Sequence, residues 1–509
     1  MSKKFLPTFQ FDVPLENDKF GIDLVASLDK MTSAQAEKIK INRMLELFHE
    51  TARAIPAYRD FLRKHGVKNH NLIKTKRDFN DVPVIDKKNY LKEYGLNAVM
   101  WPKMRNRQIT FTATSGSTGS PFYFPRSYQL DWQSSLIHEW YINHRPVLKS
   151  ENTLVINAFG MGVWIGGLIT YRAFEIIGYR GGRKFSIIAP GVNKIEILNA
   201  LKNIAPMYDN VIIAGYPPFI KDIVDESITH RIDLSKIKMR LICAAESFSE
   251  EFRDYVSLGL NLKSPYIDTM NIYGSADIGT MAFETPFSIF ARREAMKDKK
   301  LFKKIFGDIK KTPTLAQYHP WCIGFEELKG ELILTGNSVV PLVRYAIGDH
   351  GGTLSNDHIE EIFKNYKIPV EVKKRITNIP YVYVYERNDF STTLYGLQIY
   401  PEMIKSSLLN DEIQKYATGR FVMSTRVNKR HDQFIQLEIE MKKDIRDKDI
   451  DMAKHEAVLV SELRRFNSEF RELHDHLDGR KLIKCIFWEH EHPKYFSRAG
   501  KQKWVLKDV

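Results

Sequence analysis

Short apolar runs that alternate with longer, more polar stretches constrain the fold of this chain more than any other feature. Between residues 109 and 350 the runs include TLVINAF, NVIIAGY, MRLICAA and ELILTG. Runs of this length and composition are typical of buried strands, and the stretches between them are long enough for helices. The pattern predicts an α/β fold with a large N-terminal domain, in which helices cover stacked, mostly parallel sheets.

The N-terminal part of the chain reads differently. Residues 1–108 form a largely helical lead-in, because the apolar residues Leu45, Phe48, Ala52 and Ile55 recur close to helical spacing. A connector with the sequence DVPVIDKKNY, punctuated by proline, follows this helical pattern at residues 81–90 of the lead-in.

The C-terminal part predicts a second, smaller domain. Apolar and polar residues alternate from Ile435 to Lys442, which is typical of a strand with one wet face. Apolar residues from Leu459 to Leu473 then mark one face of a single amphipathic helix, which Gly479 would terminate, and the run LIKCIFW adds a last strand. Because 509 residues exceed the usual size of one core, we expect domains at 1–387 and 388–509, the second being α+β and mobile.

Composition narrows the class of protein. The hydrophobic fraction of 43% is typical of a globular chain, and three scattered cysteines with no leader-like N-terminus predict a cytoplasmic location. Residues 153–171 carry no charge, but their glycines and Asn157 favour a buried strand, loop and helix start over a membrane span. The net charge of +14 includes a lysine-rich stretch at 297–311, which we interpret as a solvated surface rather than a nucleic-acid site.

The loop TATSGSTGSP, residues 112–121, is the sharpest local motif. Hydroxyl side chains and glycines in such a loop offer many N–H and O–H donors, which suit the oxygens of a phosphate. The loop is not a Walker A motif, because Gly-Lys-Ser/Thr is missing. Plain connectors share this composition, so the loop alone leaves both interpretations open.

With the motifs that follow it, this loop resembles the adenylate-forming superfamily of acyl-CoA synthetases, adenylation domains and luciferases. Within that superfamily the chain is most similar to the phenylacetate–CoA ligase-like branch. The resemblance implies that a phosphate-binding loop is formed by the following residues: Thr114, Ser115, Gly116, Ser117, Thr118 and Gly119. Ser120 stands where the superfamily usually has lysine.

The segment Asn271-Ile272-Tyr273-Gly274, followed by Asp277, resembles the superfamily's N-x-Y-G-x-x-E motif. The resemblance implies that Tyr273 lies against adenine and that Asp277, in place of the usual glutamate, is a catalytic residue and Mg²⁺ ligand. A hard carboxylate oxygen that shares the metal with phosphate suits Mg²⁺.

The segments Gly330–Thr335 and Pro341–Asp349 resemble the superfamily's G-E-L-x-x-T and P-L-x-R-Y-x-x-G-D pair. The resemblance implies that Asp349 accepts hydrogen bonds from both ribose hydroxyls and that Arg344 is catalytic. From the residues alone, Arg344 fits an ion pair at a strand end equally well.

Two further motifs lie near the end of the chain. Arg387 and Asp389 match a nucleotide-contacting arginine and a hinge, although Glu386 replaces the usual glycine. Lys501 matches the lysine that bridges the substrate carboxylate and the α-phosphate, with Lys503 as the nearby alternative. The resemblance also implies that Gly396 begins a loop that reaches the active site after the small domain rotates.

The remaining matches concern adenine and the acyl group. The segment Ala245-Glu246-Ser247 corresponds to an adenine-contacting segment that usually starts with glycine. The resemblance implies an acyl pocket lined by the following residues: Phe159, Trp164, Gly215 and Tyr216. From composition alone, such aromatic residues are more often part of a plain core.

The resemblance therefore implies an enzyme that uses ATP and Mg²⁺ to convert a carboxylic acid to an acyl-AMP, with release of pyrophosphate. Acyl transfer to a thiol would follow, with CoA or the phosphopantetheine of an acyl carrier protein as acceptor. Alternatives are transfer to an amine or hydroxyl, or a noncatalytic nucleotide-binding homologue that acts as a partner protein. The sequence does not identify the acid or the oligomeric state, and a homodimer is compatible with it.

Overall fold

The computed structural model of the chain describes thirteen stretches of residues. These are 18–113, 122–144, 151–162, 165–181, 184–309, 313–387, 392–399, 401–408, 410–443, 445, 450–477, 480–496 and 505.

Eighteen strands occur in the described residues. They are β1 Thr110–Ala113, β2 Tyr123–Arg126, β3 Asn152–Ala158, β4 Lys184–Ile188, β5 Asn210–Gly215, β6 Lys238–Ala244, β7 Thr269–Ser275, β8 Gly279–Phe283, β9 Thr314–Gln317, β10 Ile323–Leu328, β11 Glu331–Gly336, β12 Leu342–Leu354, β13 Tyr381–Arg387, β14 Thr392–Leu394, β15 Leu397–Ile399, β16 Ala417–Val427, β17 Gln433–Met441 and β18 Ile483–Trp488.

Eighteen α-helices accompany them. They are α1 Lys19–Leu28, α2 Ser33–Ala54, α3 Pro56–Lys64, α4 Lys76–Asn80, α5 Leu96–Val99, α6 Tyr128–Asn143, α7 Ile165–Gly181, α8 Lys194–Asn199, α9 Pro217–Thr229, α10 Glu250–Gly259, α11 Pro286–Lys297, α12 Lys299–Phe306, α13 Asn356–Phe363, α14 Val370–Lys373, α15 Pro401–Leu408, α16 Asp411–Gln414, α17 Met452–Phe466 and α18 Ser468–His476. Short 3₁₀ or π turns span His70–Leu72, Lys87–Lys92, Pro102–Asn106, Ala200–Ile204 and Ala205–Met207.

An 11-stranded sheet with the order β10-β11-β12-β13-β9-β8-β7-β6-β5-β3-β4 organises the large domain. The part from β7 to β4 is parallel, and it contains the predicted strands TLVINAF, NVIIAGY and MRLICAA. Helices connect these parallel strands, because the chain must cross from the end of one to the start of the next. The remaining strands pair antiparallel. The predicted α/β class is thus confirmed.

The antiparallel half of the sheet curls so that β12 approaches β7. In a flat sheet, β12 and β7 would lie about 19 Å apart, because β13, β9 and β8 separate them. Yet Tyr273 on β7 bonds Asp349 on β12 through their side chains, at 2.5 Å. One hydrophobic cluster joins the inner residues of this curl to the helical lead-in, including Phe48, Tyr58 and Tyr345.

The uncharged stretch at 153–171 is part of the protein core. Its first residues form β3, and its end forms the start of α7, as the sequence predicts. Within the described part of the chain, every helix is too short or too polar to traverse a lipid bilayer.

The C-terminal part packs around a hydrophobic cluster of its own. This cluster begins at Leu394 and ends at Phe487, and it is formed by the three-stranded sheet β16-β17-β18 and its covering helices. The alternating segment is β17, and LIKCIFW contains β18, as predicted. The predicted boundary between residues 387 and 388 adjoins positions that lie outside the described residues, so it stays a prediction.

The prediction of a single long helix in this domain is wrong. The segment forms two helices, α17 and α18, because Asn467 between them adopts an extended conformation with φ −130°. Its side chain accepts a hydrogen bond from the Phe470 N–H at 3.1 Å and so starts the second helix. Leu459, Leu463 and Phe470 still face the core, which is why the periodicity looked continuous. Gly479 lies outside the described residues.

Candidate active site

Two tyrosine–aspartate hydrogen bonds join the sequence motifs at the carboxyl end of β7. The Tyr273 hydroxyl donates to Asp349 at 2.5 Å, and the Tyr345 hydroxyl donates to Asp277 at 2.7 Å. Both carboxylates are buried. The structure therefore brings together segments that are about 70 residues apart in the chain. The carboxyl ends of parallel strands are the usual place for ligand sites in open α/β sheets.

Asp277 lies just beyond β7 and is only 3% exposed at its side chain. Besides the bond from Tyr345, its carboxylate pairs with the Lys87 ammonium at 3.2 Å. Mg²⁺ is usually held by one or two carboxylates together with phosphate and water, so this donor set fits the metal predicted here. Among the described residues, no group of three or more histidine, cysteine or acidic side chains gathers as a metal cluster.

Asp349 is positioned by the register of the sheet. It lies on β12, directly opposite Arg387 on β13. The backbone of Arg387 thus comes next to the proposed ribose carboxylate, and its side chain lies outside the described residues. Gly351 follows after an irregularity in the pairing, and its backbone lies so close to β13 that a Cβ there would meet the Tyr383 carbonyl oxygen at 2.0 Å.

Arg344 occupies the same strand, but its side chain turns toward the N-terminal segment. The guanidinium bonds the backbone carbonyls of Asn80 and Val82, and its Nε lies 3.3 Å from the Glu326 carboxylate. Its φ of +49° is unusual for a residue with a Cβ. These contacts support a structural role that ties β12 to the lead-in, and a catalytic contact of Arg344 stays a prediction.

Asn271 is held by a buried ion network below the site. Its backbone N–H donates to Glu284 at 3.0 Å, and its side-chain amide donates to the Glu246 carbonyl at 3.1 Å. Glu284 is also bonded by Arg253, at 2.8 Å to each carboxylate oxygen. Burial acts against the charge of Arg253, but Glu250 and Glu284 outweigh it and raise the pKa of Arg253 above its usual range. The network fixes the start of the Asn271–Gly274 motif, whose Ile272 is buried in the core.

The segment Ala245–Ser247 follows β6 and forms a turn beside this motif. Ala245 has φ +76°, in the left-handed region that glycine favours. Glu246 extends toward the small domain, where its carboxylate accepts hydrogen bonds from the Gly396 N–H and from Gln433 Nε2, the latter at 2.9 Å. Burial raises the pKa of Glu246 to about 7, although both hydrogen bonds act to lower it.

Three of the predicted acyl-pocket residues are contiguous. The ring of Phe159 packs edge-on against Tyr216, with centroids 5.0 Å apart. Gly215 ends β5, and a Cβ there would meet Ile220 at 2.9 Å and Ala158 at 3.3 Å. Trp164 lies outside the described residues. Burial raises the pKa of the Tyr216 hydroxyl well above its usual range, and the nearby carboxylates act in the same direction.

The small domain covers the other side of Tyr216. Gly396 has φ +83°, and a Cβ there would lie 2.7 Å from the Tyr216 ring. Between the two domains runs a cleft lined by Gly160, Tyr216, Tyr395, Glu469 and Glu472, among others. Burial, with a further contribution from Glu472, raises the pKa of Glu469 to about 8.

Several predicted residues lie outside the described part of the chain. They are Thr114, Ser115, Gly116, Ser117, Thr118, Gly119, Ser120, Trp164, Asp389, Lys501 and Lys503. Their roles stay predictions.

Sequence reasoning missed Lys87, Glu284 and Gln433. Lys87 lies in the proline-punctuated connector, and nothing in its local pattern distinguishes it from other lysines. Glu284 directly follows the apolar residues of β8 and is buried. An acidic residue at the end of such an apolar run is the one sequence signal that could have indicated it.

Comparison of the sequence with protein-family models and with curated proteins finds no match. Solved structures do match. A 2-hydroxyisobutyryl-CoA ligase, in complex with 2-HIB-AMP and CoA in the thioesterification state, aligns with a TM-score of 0.61 at 15% identity over 95% of this chain and 92% of that chain. The same ligase in the postadenylation state with 2-HIB-AMP gives 0.51 at 15% identity, over 100% of this chain and 95% of that chain. Its open conformation gives 0.50 at 16% identity, over 100% and 97%.

These similarities extend over nearly the whole chain, so the large and small domains both share the fold of the 2-hydroxyisobutyryl-CoA ligase. The fold that the sequence motifs imply is therefore confirmed. The phenylacetate–CoA ligase-like branch within that fold stays a prediction.

Proposed function

We propose that this protein is an AMP-forming acid–thiol ligase. It activates a carboxylic acid with ATP, releases pyrophosphate, and transfers the acyl group from acyl-AMP to the thiol of CoA or of a carrier-bound phosphopantetheine. The observation that carries the proposal is the pair of bonds Tyr273–Asp349 and Tyr345–Asp277, which gather separate nucleotide motifs at one sheet edge.

The buried carboxylates suit separate tasks in this chemistry. Asp349 is an acceptor that can engage two ribose hydroxyls at once, and Tyr273 keeps its carboxylate oriented. Asp277 would hold Mg²⁺, which supplies charge stabilisation to the phosphates when bound. Lys87 pairs with Asp277 and so offsets part of its negative charge. Adenylation then depends on positioning and electrostatics, because the acid itself is the nucleophile.

The proposal extends to residues whose side chains lie outside the described part of the chain. The phosphate loop from Thr114 to Gly119 would bind the pyrophosphate, Arg387 would contact the nucleotide, and Lys501 would bridge the acid and the α-phosphate. The small domain, residues 388–509, would rotate at Asp389 between the two half-reactions. The higher TM-score against the thioesterification state supports assigning the described domain arrangement to acyl transfer.

The proposal also includes the phenylacetate–CoA ligase-like branch and a cytoplasmic location. The aromatic wall of Phe159 and Tyr216 supports an apolar or aromatic acid. Cys243, Cys322 and Cys485 are all free thiols, which supports a reducing compartment. An acyl carrier protein as partner and a homodimer remain parts of the proposal that binding and sedimentation measurements can decide.

Exchange of labelled pyrophosphate into ATP tests the first half-reaction. We expect exchange with at least one acid from a panel of aryl, fatty, hydroxy and amino acids. Asp349→Ala and Lys501→Ala should lower it at least 100-fold, because each removes an interaction with the nucleotide or the reacting groups. Lys503→Ala is the matched control and should keep most of the exchange. Measurable ATP binding without exchange for any acid would instead support the noncatalytic homologue.

The metal assignment has its own test. Asp277→Asn keeps an oxygen that can accept from Tyr345 but removes the charge that holds Mg²⁺. We expect the Mg²⁺ concentration for half-maximal exchange to rise at least tenfold. An unchanged Mg²⁺ requirement would contradict the role of Asp277.

The second half-reaction identifies the acceptor. CoA, a pantetheinylated carrier protein, and an amine are added separately to the acid that supports exchange. Formation of a thioester would support the proposal, whereas an amide or ester product would favour the alternative synthetase.

A further inference from the structure

Four charged side chains meet where the two domains contact each other. Lys221 and Asp222 lie on α9 of the large domain, and Asp432 and Arg480 belong to the small domain. The Lys221 ammonium lies 2.6 Å from Asp432 Oδ1. Arg480 bonds Asp222 and also lies 3.3 Å from Asp432 Oδ1. The Lys221–Asp432 and Arg480–Asp222 contacts cross the interface, whereas the Arg480–Asp432 contact lies within the small domain. Lys221 also pairs with Asp225 on α9, at 2.8 Å. We call these four residues the latch cluster.

The latch cluster is more buried than an ordinary surface ion pair. The side chain of Lys221 is 2% exposed and that of Asp222 is 0% exposed, and Arg480 and Asp432 cover them. Surface pairs contribute little because water competes for both partners, whereas a buried charge depends strongly on its partner. The contact therefore favours one orientation of the small domain over orientations that would leave Asp222 covered by an uncharged surface.

The latch cluster is directly connected to the loop that covers the acyl pocket. Gln433 follows Asp432 in the chain, accepts a hydrogen bond from the Tyr395 N–H at 2.7 Å, and donates to Glu246 at 2.9 Å. Gly396 follows Tyr395 and lies against Tyr216, the residue that precedes α9. The charged contacts and the Tyr395–Gly396 loop therefore both hold the small domain against α9 and the residue that precedes it.

We propose that Lys221, Asp222, Asp432 and Arg480 form a latch that holds the small domain with Gly396 against Tyr216, and that they position the enzyme for acyl transfer but not for adenylation. The inference rests on the proposed function for its meaning in the reaction. When the small domain leaves, water can solvate the exposed charges, so the latch selects an orientation and remains reversible.

Separate assays of the two half-reactions test the latch. Asp432→Asn and Arg480→Gln each remove one of the small domain's charges. We expect transfer from preformed acyl-AMP to the thiol to slow at least tenfold, while pyrophosphate exchange stays within twofold of wild type. Glu412→Gln is the matched control, because it removes an ion pair with Lys454 inside the small domain. It should change neither half-reaction.

A double-mutant cycle separates the cross-domain contact from its individual charges. If Lys221 and Asp432 act through each other, then Lys221→Ala combined with Asp432→Ala should slow transfer no more than the worse single variant. Additive losses would contradict a shared contact between these two residues.

A distance measurement tests the latch independently of activity. Spin labels are attached to cysteines introduced at Ile195, on the large domain, and at Lys484, on the small domain, with Cys322→Ser in the background. Ile195 is 69% exposed, and Lys484 is exposed as well. We expect a narrow distance distribution that broadens in Asp432→Asn but not in Glu412→Gln.

The outcomes distinguish failure of the latch from failure of the proposed function. A wild-type protein without exchange for any acid would overturn the function, and the distance distributions would still decide whether the latch exists. Equal loss of exchange and transfer in Asp432→Asn, or an unchanged distance distribution, would overturn the latch.

Discussion

Ala245 holds a backbone conformation that is unfavourable for a residue with a Cβ. Its φ of +76° lies in a region where a Cβ is unfavourable, yet the turn keeps this conformation and places Glu246 against the small domain. The superfamily motif that the chain resembles has glycine here. The turn keeps a left-handed geometry that favours glycine although alanine occupies the position, so the backbone at Ala245 is strained.

Replacing Ala245 with glycine should relieve this strain. We expect Ala245→Gly to raise the free energy of unfolding by about 0.5–1 kcal/mol, since relief of the left-handed strain exceeds the added entropy of the unfolded chain. Urea denaturation measures the change. Ala214→Gly in β5 is the control, where we expect a loss of about 1 kcal/mol. A loss of stability in Ala245→Gly would contradict the strain.

At the scale of elements, most of the fold could be predicted, because burial imposes simple periodicities on strands and helices. The parallel strands appeared as apolar runs, and β17 appeared as an alternation. The break at Asn467 was missed because the apolar spacing continues across it. The curl of the sheet was also missed, because it depends on contacts between β7 and β12, which local patterns do not contain. For the same reason the sequence could not show that Arg344 turns toward Asn80 and Val82.

The close approach of β12 and β13 predicts an intolerance of side chains at Gly351. A Cβ there would lie 2.0 Å from a backbone oxygen, so one of the strands must shift. We expect Gly351→Ala to lower the free energy of unfolding by about 3 kcal/mol and to weaken exchange, since Asp349 lies on the same strand. Thermal and urea denaturation measure the loss.

Gly178→Ala is the matched control for this prediction. The nearest atom to a Cβ at Gly178 is 3.9 Å away in Phe185, and the residue lies within α7. Alanine should therefore stabilise the protein by about 1 kcal/mol through helix propensity. Equal effects of the two substitutions would show that packing against β13 is not the cause.

At the scale of the whole molecule, the two domains are joined by contacts that include titratable groups. Glu246 of the large domain is bonded by Gly396 and Gln433 of the small one. Its pKa is raised from an ordinary value of 4.5 to about 7. The folded protein therefore binds this proton more tightly than the unfolded chain does. The associated stability is fully present below pH 4.5 and is lost as the pH rises toward 7.

Substitution of Glu246 by glutamine should remove this part of the pH dependence. We expect the free energy of unfolding to fall less steeply between pH 5 and pH 7 in Glu246→Gln than in wild type, by about 2 kcal/mol over that interval. Chemical denaturation across this range measures the difference, and titrating groups elsewhere contribute equally to both proteins. Glu251→Gln, on the exposed side of α10, controls for the loss of one negative charge. Parallel curves for Glu246→Gln and wild type would contradict the assignment.

The close fit of Gly396 against Tyr216 has a consequence for fidelity. With Tyr216 in the wall of the acyl pocket, as proposed, an acid that displaces this ring outward also displaces the surface on which the small domain rests. Such an acid can become an adenylate and yet fail to reach the thiol, and its adenylate would be lost to hydrolysis. The Tyr216 ring would then select the acid at two steps, first through the size of the pocket during adenylation and then through closure of the small domain before acyl transfer.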